Sequence, residues 1–254
     1  MITRDKLFEL SRKYKINEST ILREYIQLYF LSRFYSYKES KNIFFKGGTA
    51  IHLIYHSSRF SEDMDFTVEE AEKKFTNFIL KFFSTLKKEE PVEFKERKTI
   101  AGKRYLLTYA PSLVNYKVFI NLDFSFREKI FLKEKSIINT DFPVIFRSYL
   151  NHPDKNELLA EKIRAFLIRV EGRDIYDIWY LLSQKGEIDE KIILEKLKYY
   201  NIKTFDKKDI FEKVDSFDKR DFILDLRPFV SINEREKLGD FFEYLKDYLV
   251  KFLK

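Results

Sequence analysis

The chain has 254 residues, long enough for one large or two small domains. Its 48 Lys and Arg against 41 Asp and Glu leave a net charge of +7, which favours a polyanionic partner without naming one. The absence of cysteine excludes disulfides, thiolate nucleophiles and cysteine-held zinc or iron–sulfur centres, and no apolar run approaches the length of a membrane span.

In chain order, residues 4 to 36 predict two amphipathic helices split near Lys15-Ile16-Asn17, with Ile21, Tyr25, Leu28 and Leu31 lining the second. Phe44-Phe45 predict a strand that leads into Gly47-Gly48-Thr49. Residues 50 to 57 predict a short helix capped by Thr49. A strand is expected at about 63 to 68, followed by a helix carrying Phe75, Phe78, Ile79, Phe82 and Leu86. Further strands are expected at 92 to 98, 103 to 109 and 116 to 126, with Ala101-Gly102 as a turn. After Asn151-His152-Pro153-Asp154 the chain reads as helical to Lys254. The expected fold class is α+β. N-terminal helices and a small mixed-sheet core fill residues 1–150, and an all-helical domain fills residues 151–254. The start Met1-Ile2-Thr3-Arg4-Asp5 lacks a signal-peptide h-region, so a cytoplasmic protein is expected.

The chemistry concentrates between Phe45 and Phe66. Gly47 and Gly48 let the backbone approach a ligand, and the start of the following helix offers N–H groups and a positive dipole end to an anion. Side chains alternate along a strand, so Asp63 and Asp65 share a face that Met64 and Phe66 do not. Two such carboxylates can share a hard cation with phosphate oxygens, or they can be a solvated strand end. From Tyr116 to Phe126 the pattern alternates again. Tyr116, Val118, Ile120, Leu122, Phe124 and Phe126 take one face, and Asn121, Asp123 and Ser125 the other. Asp123 is a candidate third carboxylate or general base, or an ordinary polar-face residue.

A second motif follows the expected domain boundary. Leu159, Ile163, Phe166 and Val170 form a helical stripe, with Lys162 and Arg169 beside it. Lys162 suits either a phosphate contact or a snorkelling position on a core helix. Glu171-Gly172-Arg173 breaks that helix, and Asp174 is the expected N-cap of the next, whose stripe is Ile175, Ile178, Trp179 and Leu182. Asp174 is thus read as structural and Asp177 as functional.

These motifs carry a family resemblance. Gly47-Gly48-Thr49 followed by Asp63-x-Asp65 resembles the first motif of the DNA polymerase-β-type nucleotidyltransferase superfamily. The wider strings Phe45-Lys46-Gly47-Gly48-Thr49-Ala50, Arg59 to Phe66, Leu159 to Ala165 and Gly172 to Asp177 resemble the AbiEii/AbiGii nucleotidyltransferase toxins. The resemblance implies a metal-dependent enzyme, using Mg²⁺ or Mn²⁺, that moves a nucleoside monophosphate from a nucleoside triphosphate to an acceptor hydroxyl. It implies metal on Asp63 and Asp65, with Asp123 the weakest member of the set. It implies a nucleotide cradle of Lys46, Gly47, Gly48 and Thr49, a phosphate contact from Lys162, and a need for Asp177. The implied acceptor is the 3′ end of tRNA, with growth arrest as outcome and a cognate antitoxin as partner. A protein hydroxyl is the alternative acceptor, and a nucleotide-binding module without turnover is the alternative to an enzyme.

Two basic clusters are candidate nucleic-acid contacts: Lys95, Arg97, Lys98, Lys103 and Arg104, and Lys191, Lys196, Lys198, Lys203, Lys207 and Lys208. Tyr105, Tyr199 and Tyr200 are their candidate stacking partners. His52 and His56 have metal-pair spacing but lack the glutamate of a zinc-peptidase helix, so packing or polar contacts are expected.

Overall fold

A computed structural model describes residues 1–99 and 102–253, so Ala101 of the expected turn lies outside the described residues. The chain divides into two compact units, Met1–His56 with Ser61–His152, and Ser57–Phe60 with Pro153–Lys254. Among the described residues, no helix is long and apolar enough to cross a membrane.

The first unit opens with α1 (Arg4–Tyr14) and α2 (Glu18–Phe34). The break between them has two local causes. Lys15 adopts a left-handed conformation that ends α1, and the Asn17 side chain accepts from the Thr20 amide to start α2. The expected stripe of α2 is buried, yet so are Leu22, Ile26, Phe30 and Phe34, so this helix is not amphipathic. A helix apolar around its circumference belongs in a core. Phe30 and Phe34 pack on Phe82 at 5.1 and 5.3 Å between ring centroids, and Phe34 on Phe66 at 5.7 Å.

The sheet is built from β1 (Ile43–Lys46), β2 (Met64–Val68), β3 (Val92–Arg97), β4 (Lys103–Tyr109) and β5 (Val118–Ser125). Its order is β1-β2-β5-β4-β3, with β2 and β5 parallel and the other neighbours antiparallel. Between β1 and β2 lies α3 (Gly47–Tyr55), and between β2 and β3 lies α4 (Glu72–Glu89). One face of the sheet is apolar. Phe66 and Phe124 stack at 4.7 Å, and α4 adds Phe75 at 4.8 Å from Phe124. The other face carries the polar half of each alternation, including Asp65, Asn121 and Asp123. Strand β5 is shorter than expected, and Tyr116 is 36% exposed outside it. A short pair, β6 (Lys133–Ser136) with β7 (Leu150–Pro153), was not expected. Four-residue strands give too few alternations to be read as a pattern.

The second unit's long segment is helical, as expected: α5 (Lys155–Arg169), α6 (Gly172–Ser183), α7 (Glu190–Lys198), α8 (Lys207–Asp215), α9 (Lys219–Leu226), α10 (Ile232–Arg235) and α11 (Leu238–Leu253). Val170 is not in the core stripe of α5. It ends the helix in a left-handed conformation and is 38% exposed. Gly172 starts α6 where a Cβ would come within 3.0 Å of the Phe222 backbone, and its amide donates to Asp225 at 2.7 Å. Asp225, rather than Asp174, therefore satisfies the start of α6.

Candidate functional site

Within the first unit the site is built where β1 turns into α3. Gly47 has φ +78°, a conformation that side chains rarely adopt, and a Cβ there would lie 2.2 Å from Asp65 Oδ2. The carboxylate of Asp65 thus occupies the space that only a glycine leaves. The N-cap of α3 is Lys46, which makes no side-chain cap, so the positive dipole end of the helix lies beside Asp65. Thr49 does not cap this helix. It sits inside the first turn, is buried, and donates its hydroxyl proton to the backbone carbonyl of Asp63. Lys46 is 7% exposed, with its ammonium 3.1 Å from Glu128 Oε2.

The register brings the carboxylates together. Asp65 is the direct partner of Asp123 across the parallel β2–β5 pair, one strand spacing of about 4.8 Å away. Asp63 immediately precedes β2, and Asn121 donates to its Oδ1 at 3.0 Å. Asp123 accepts from Nε of Arg104, its direct partner on β4. The Arg104 guanidinium is held above its usual pKa, first by the bond to Asp123 and then, against burial, by the charges of Asp123, Asp63 and Asp65. Behind the site, the buried Gln27 of α2 donates to the carbonyls of Ser61 and Glu62 at 3.1 and 2.8 Å, which holds the approach to Asp63.

Like charges this close favour a bound cation. Asp63, Asp65 and Asp123 offer hard oxygen donors on one sheet face, the donor chemistry that suits Mg²⁺ or Mn²⁺. Among the described residues, no set of three His, Cys, Asp or Glu is grouped to hold a metal ion, and Asp123 is engaged by Arg104. Asp63 and Asp65 are therefore the better-fitting pair. Of the His52–His56 pair, His52 makes a polar contact with Glu24 at 3.0 Å and His56 ends α3 in a left-handed conformation.

In the second unit the later motif forms a line of alternating charge. Arg59 clasps Asp177 with three hydrogen bonds of 2.8 to 3.0 Å. Lys162 lies 2.7 Å from Asp177 and 3.2 Å from Asp174, and Arg169 bonds Asp174 at 2.8 and 2.9 Å. Asp174 is not an N-cap; like Asp177 it is wholly buried, while Lys162 is 8% exposed. Burial pushes the Asp177 carboxyl up, but Arg59 and Lys162 outweigh it and hold it below the usual carboxylate range. Asp174 follows the same balance, with Lys162 and Arg169 as its cations. Burial alone would lower Lys162, and the two aspartates raise it instead.

The basic clusters divide. Lys196 is fully buried between Glu157 at 2.6 Å and Glu161 at 3.0 Å, and Tyr105 is 2% exposed, so both face the interior and not a nucleic acid. Tyr200 is taken by Arg164, which donates to its hydroxyl at 2.6 Å. Lys95, Arg97, Lys98 and Arg104 are exposed. Sequence reasoning missed Gln27 and Asn121 beside the aspartates of the first unit, and Arg59 in the charge line of the second. Gln27 had one signal, a lone amide in an apolar helix.

A glycine turn at a helix start, set against paired aspartates on a mixed sheet, defines a nucleotidyltransferase-type core. The fold is similar to three solved structures. MenT4, a nucleotidyltransferase toxin of Mycobacterium tuberculosis, is 17% identical over 97% of this chain and 90% of its own, with a TM-score of 0.65. JHP933 of Helicobacter pylori is 18% identical over 94% of both chains, with a TM-score of 0.59. A putative nucleotidyltransferase of H. pylori is 17% identical over 94% of this chain and 97% of its own, with a TM-score of 0.56. No curated protein sequence matches the chain. The chain belongs to the nucleotidyl transferase AbiEii toxin family of type IV toxin–antitoxin systems, whose pattern matches residues 29–250. Membership brings a nucleotide as substrate and an antitoxin as partner.

Proposed function

We propose that this toxin transfers a nucleoside monophosphate from a nucleoside triphosphate to a hydroxyl at the 3′ end of tRNA, acting in the cytoplasm to arrest growth. The observation that carries this reading is the seat of Asp65 against Gly47 at the start of α3, with Asp63 and Asp123 on the same sheet face. A Mg²⁺ or Mn²⁺ ion held by Asp63 and Asp65 would supply charge neutralisation between phosphate oxygens. Gly47, Gly48 and Thr49 present the opening of α3 to the triphosphate, with Lys46 beside it. The acceptor oxygen bonds to the α-phosphorus as the bond to the bridging oxygen breaks, and pyrophosphate leaves. Asp123, its Oδ1 held by Arg104, takes the hydroxyl proton. The family resemblance gives Lys162 a phosphate contact. An ammonium has three donors, and the aspartates of α6 account for two of them. Asp177 then positions Lys162.

The test is transfer from each of the four labelled nucleoside triphosphates, with Mg²⁺, into total tRNA and into a protein lysate. Asp63→Asn and Asp65→Asn proteins run in parallel. Label in tRNA that depends on Mg²⁺ and on both aspartates is the expected result. Label in protein would make the enzyme a protein-modifying transferase. Nucleotide binding without transfer to any acceptor would replace the enzyme with a binding module.

A further inference from the structure

The sheet register aligns one charged residue from every strand. Lys46 pairs with Asp65, Asp65 with Asp123, Asp123 with Arg104, and Arg104 with Arg97. Directly paired residues project to the same face, so a single row crosses the whole sheet as plus, minus, minus, plus, plus. The adjacent row on that face runs from Asn121 through Leu106 to Lys95. Both rows end on β3 in cations. Arg97 and Lys95 are exposed and, among the described residues, enter no ion pair. Arg97 and Arg104 stand directly opposite each other, an arrangement that costs stability in an isolated sheet and that a bound anion relieves. On β5, two residues before Asn121 and on the same face, Phe119 is 52% exposed. A large aromatic on the polar side of an alternating strand has no use in the core. The acid in its own row is Glu93, two residues along β3 from Lys95 and opposite Thr108.

We propose that Arg104, Arg97 and Lys95, with Phe119 one row further along the same face than Lys95, form a track for a single-stranded polyribonucleotide that presents its terminal hydroxyl to Asp123 and Asp65. The proposal deepens the transferase reading and rests on it. From Asp123 to Arg97 is two strand spacings, roughly 10 Å, enough for the last one or two nucleotides to lie across β4 and β3. Cations alone would suit any polyanion. Cations with an exposed aromatic in the next row of the same face suit a strand whose bases are free to stack.

The probe is a mixed-sequence, single-stranded 12-mer oligoribonucleotide with a 3′ hydroxyl, its affinity followed by fluorescence anisotropy from low to high salt. Replacing Arg97 and Lys95 together by Ala should lower the slope of log affinity against log salt by about 1.4, roughly 0.7 for each lost phosphate contact. Phe119→Ala should weaken binding about tenfold and leave the slope unchanged. The control removes two cations from the opposite side of the same unit, Lys73→Ala with Lys81→Ala on α4, and should leave slope and affinity as in the parent. Arg97→Lys should keep the slope, which separates lost charge from lost fold. In transfer assays the Arg97/Lys95 double variant should raise the acceptor KM and leave the nucleotide KM alone. An unchanged slope in that variant overturns the track, as does an equal fall in the control. So does a loss of label transfer confined to protein acceptors. A parent protein that transfers nothing but binds the 12-mer with these slopes sinks the transferase reading and leaves the track standing.

Discussion

Gly47 shows how one residue carries both a conformation and a site. Its φ of +78° excludes most side chains, and Asp65 fills the volume where a Cβ would be. Gly47→Ala should therefore cost about 1–3 kcal/mol in backbone strain. The displaced Asp65 carboxylate should reduce transfer far more than that loss implies. Urea unfolding and kcat/KM measured on the same sample separate the two, and equal small losses in both would contradict it. Lys162 makes the opposite case. Its removal leaves Asp174 and Asp177 buried with one cation fewer, so Lys162→Ala should destabilise the second unit by about 3–5 kcal/mol. Activity lost in that variant is uninformative unless folding is followed alongside. Asp174 and Asp177 also set an acid limit. Their folded pKa values lie below the unfolded ones, so their contribution is present above the unfolded carboxylate pKa of about 4 and is lost as pH falls through the depressed folded values. Asp177→Asn should flatten the loss of stability below about pH 4.

At the scale of elements, α2 serves the site more than its sequence shows. It packs Phe30 and Phe34 into the sheet's apolar face and sends Gln27 to the carbonyls that precede Asp63. Gln27→Leu should cost about 1–3 kcal/mol for the buried carbonyls left unpaired, and should lower transfer by loosening the entry to β2. Hydrogen exchange at residues 60–64 would report that loosening; unchanged protection there would exclude it. The β5 alternation gave the faces correctly, because burial imposes period two on each strand independently. It could not give partners. Asp65, Asp123 and Arg104 meet through pairings between distant segments, and no local pattern encodes that register. Caps failed for a related reason. Thr49 and Asp174 have the residue type of a cap, but α3 and α6 start at Gly47 and Gly172, which puts both inside the first turn, where tertiary partners claim them: the Asp63 carbonyl for one, Lys162 and Arg169 for the other. Lys196 and Tyr105 misled as surface features because composition does not reveal which members of a charged run face inward.

At the scale of the molecule, the chain between α3 and β2 does not stay within the first unit. Residues 57–60 belong to the second, where Phe60 donates its amide to the Phe229 carbonyl at 2.8 Å and Ser58 meets the Tyr176 hydroxyl at 2.9 Å. Arg59, four residues before Asp63 in sequence, is 2% exposed and bonds both oxygens of Asp177. The string from Arg59 to Phe66 that carries the family resemblance thus holds two kinds of residue, one that completes a buried charge line and one that faces the sheet's polar side. These kinds should separate by experiment. Arg59→Ala removes the bidentate partner of a wholly buried carboxylate and should cost about 3–5 kcal/mol in the second unit. Amide exchange should then accelerate in α5 and α6, with activity falling as a consequence. Asp63→Asn, four residues on, should abolish transfer while protection in α5 and α6 stays at the parent's level. If Asp63→Asn also lowered that protection, Asp63 would be part of the second unit's stability and its role in the chemistry would need a different proof.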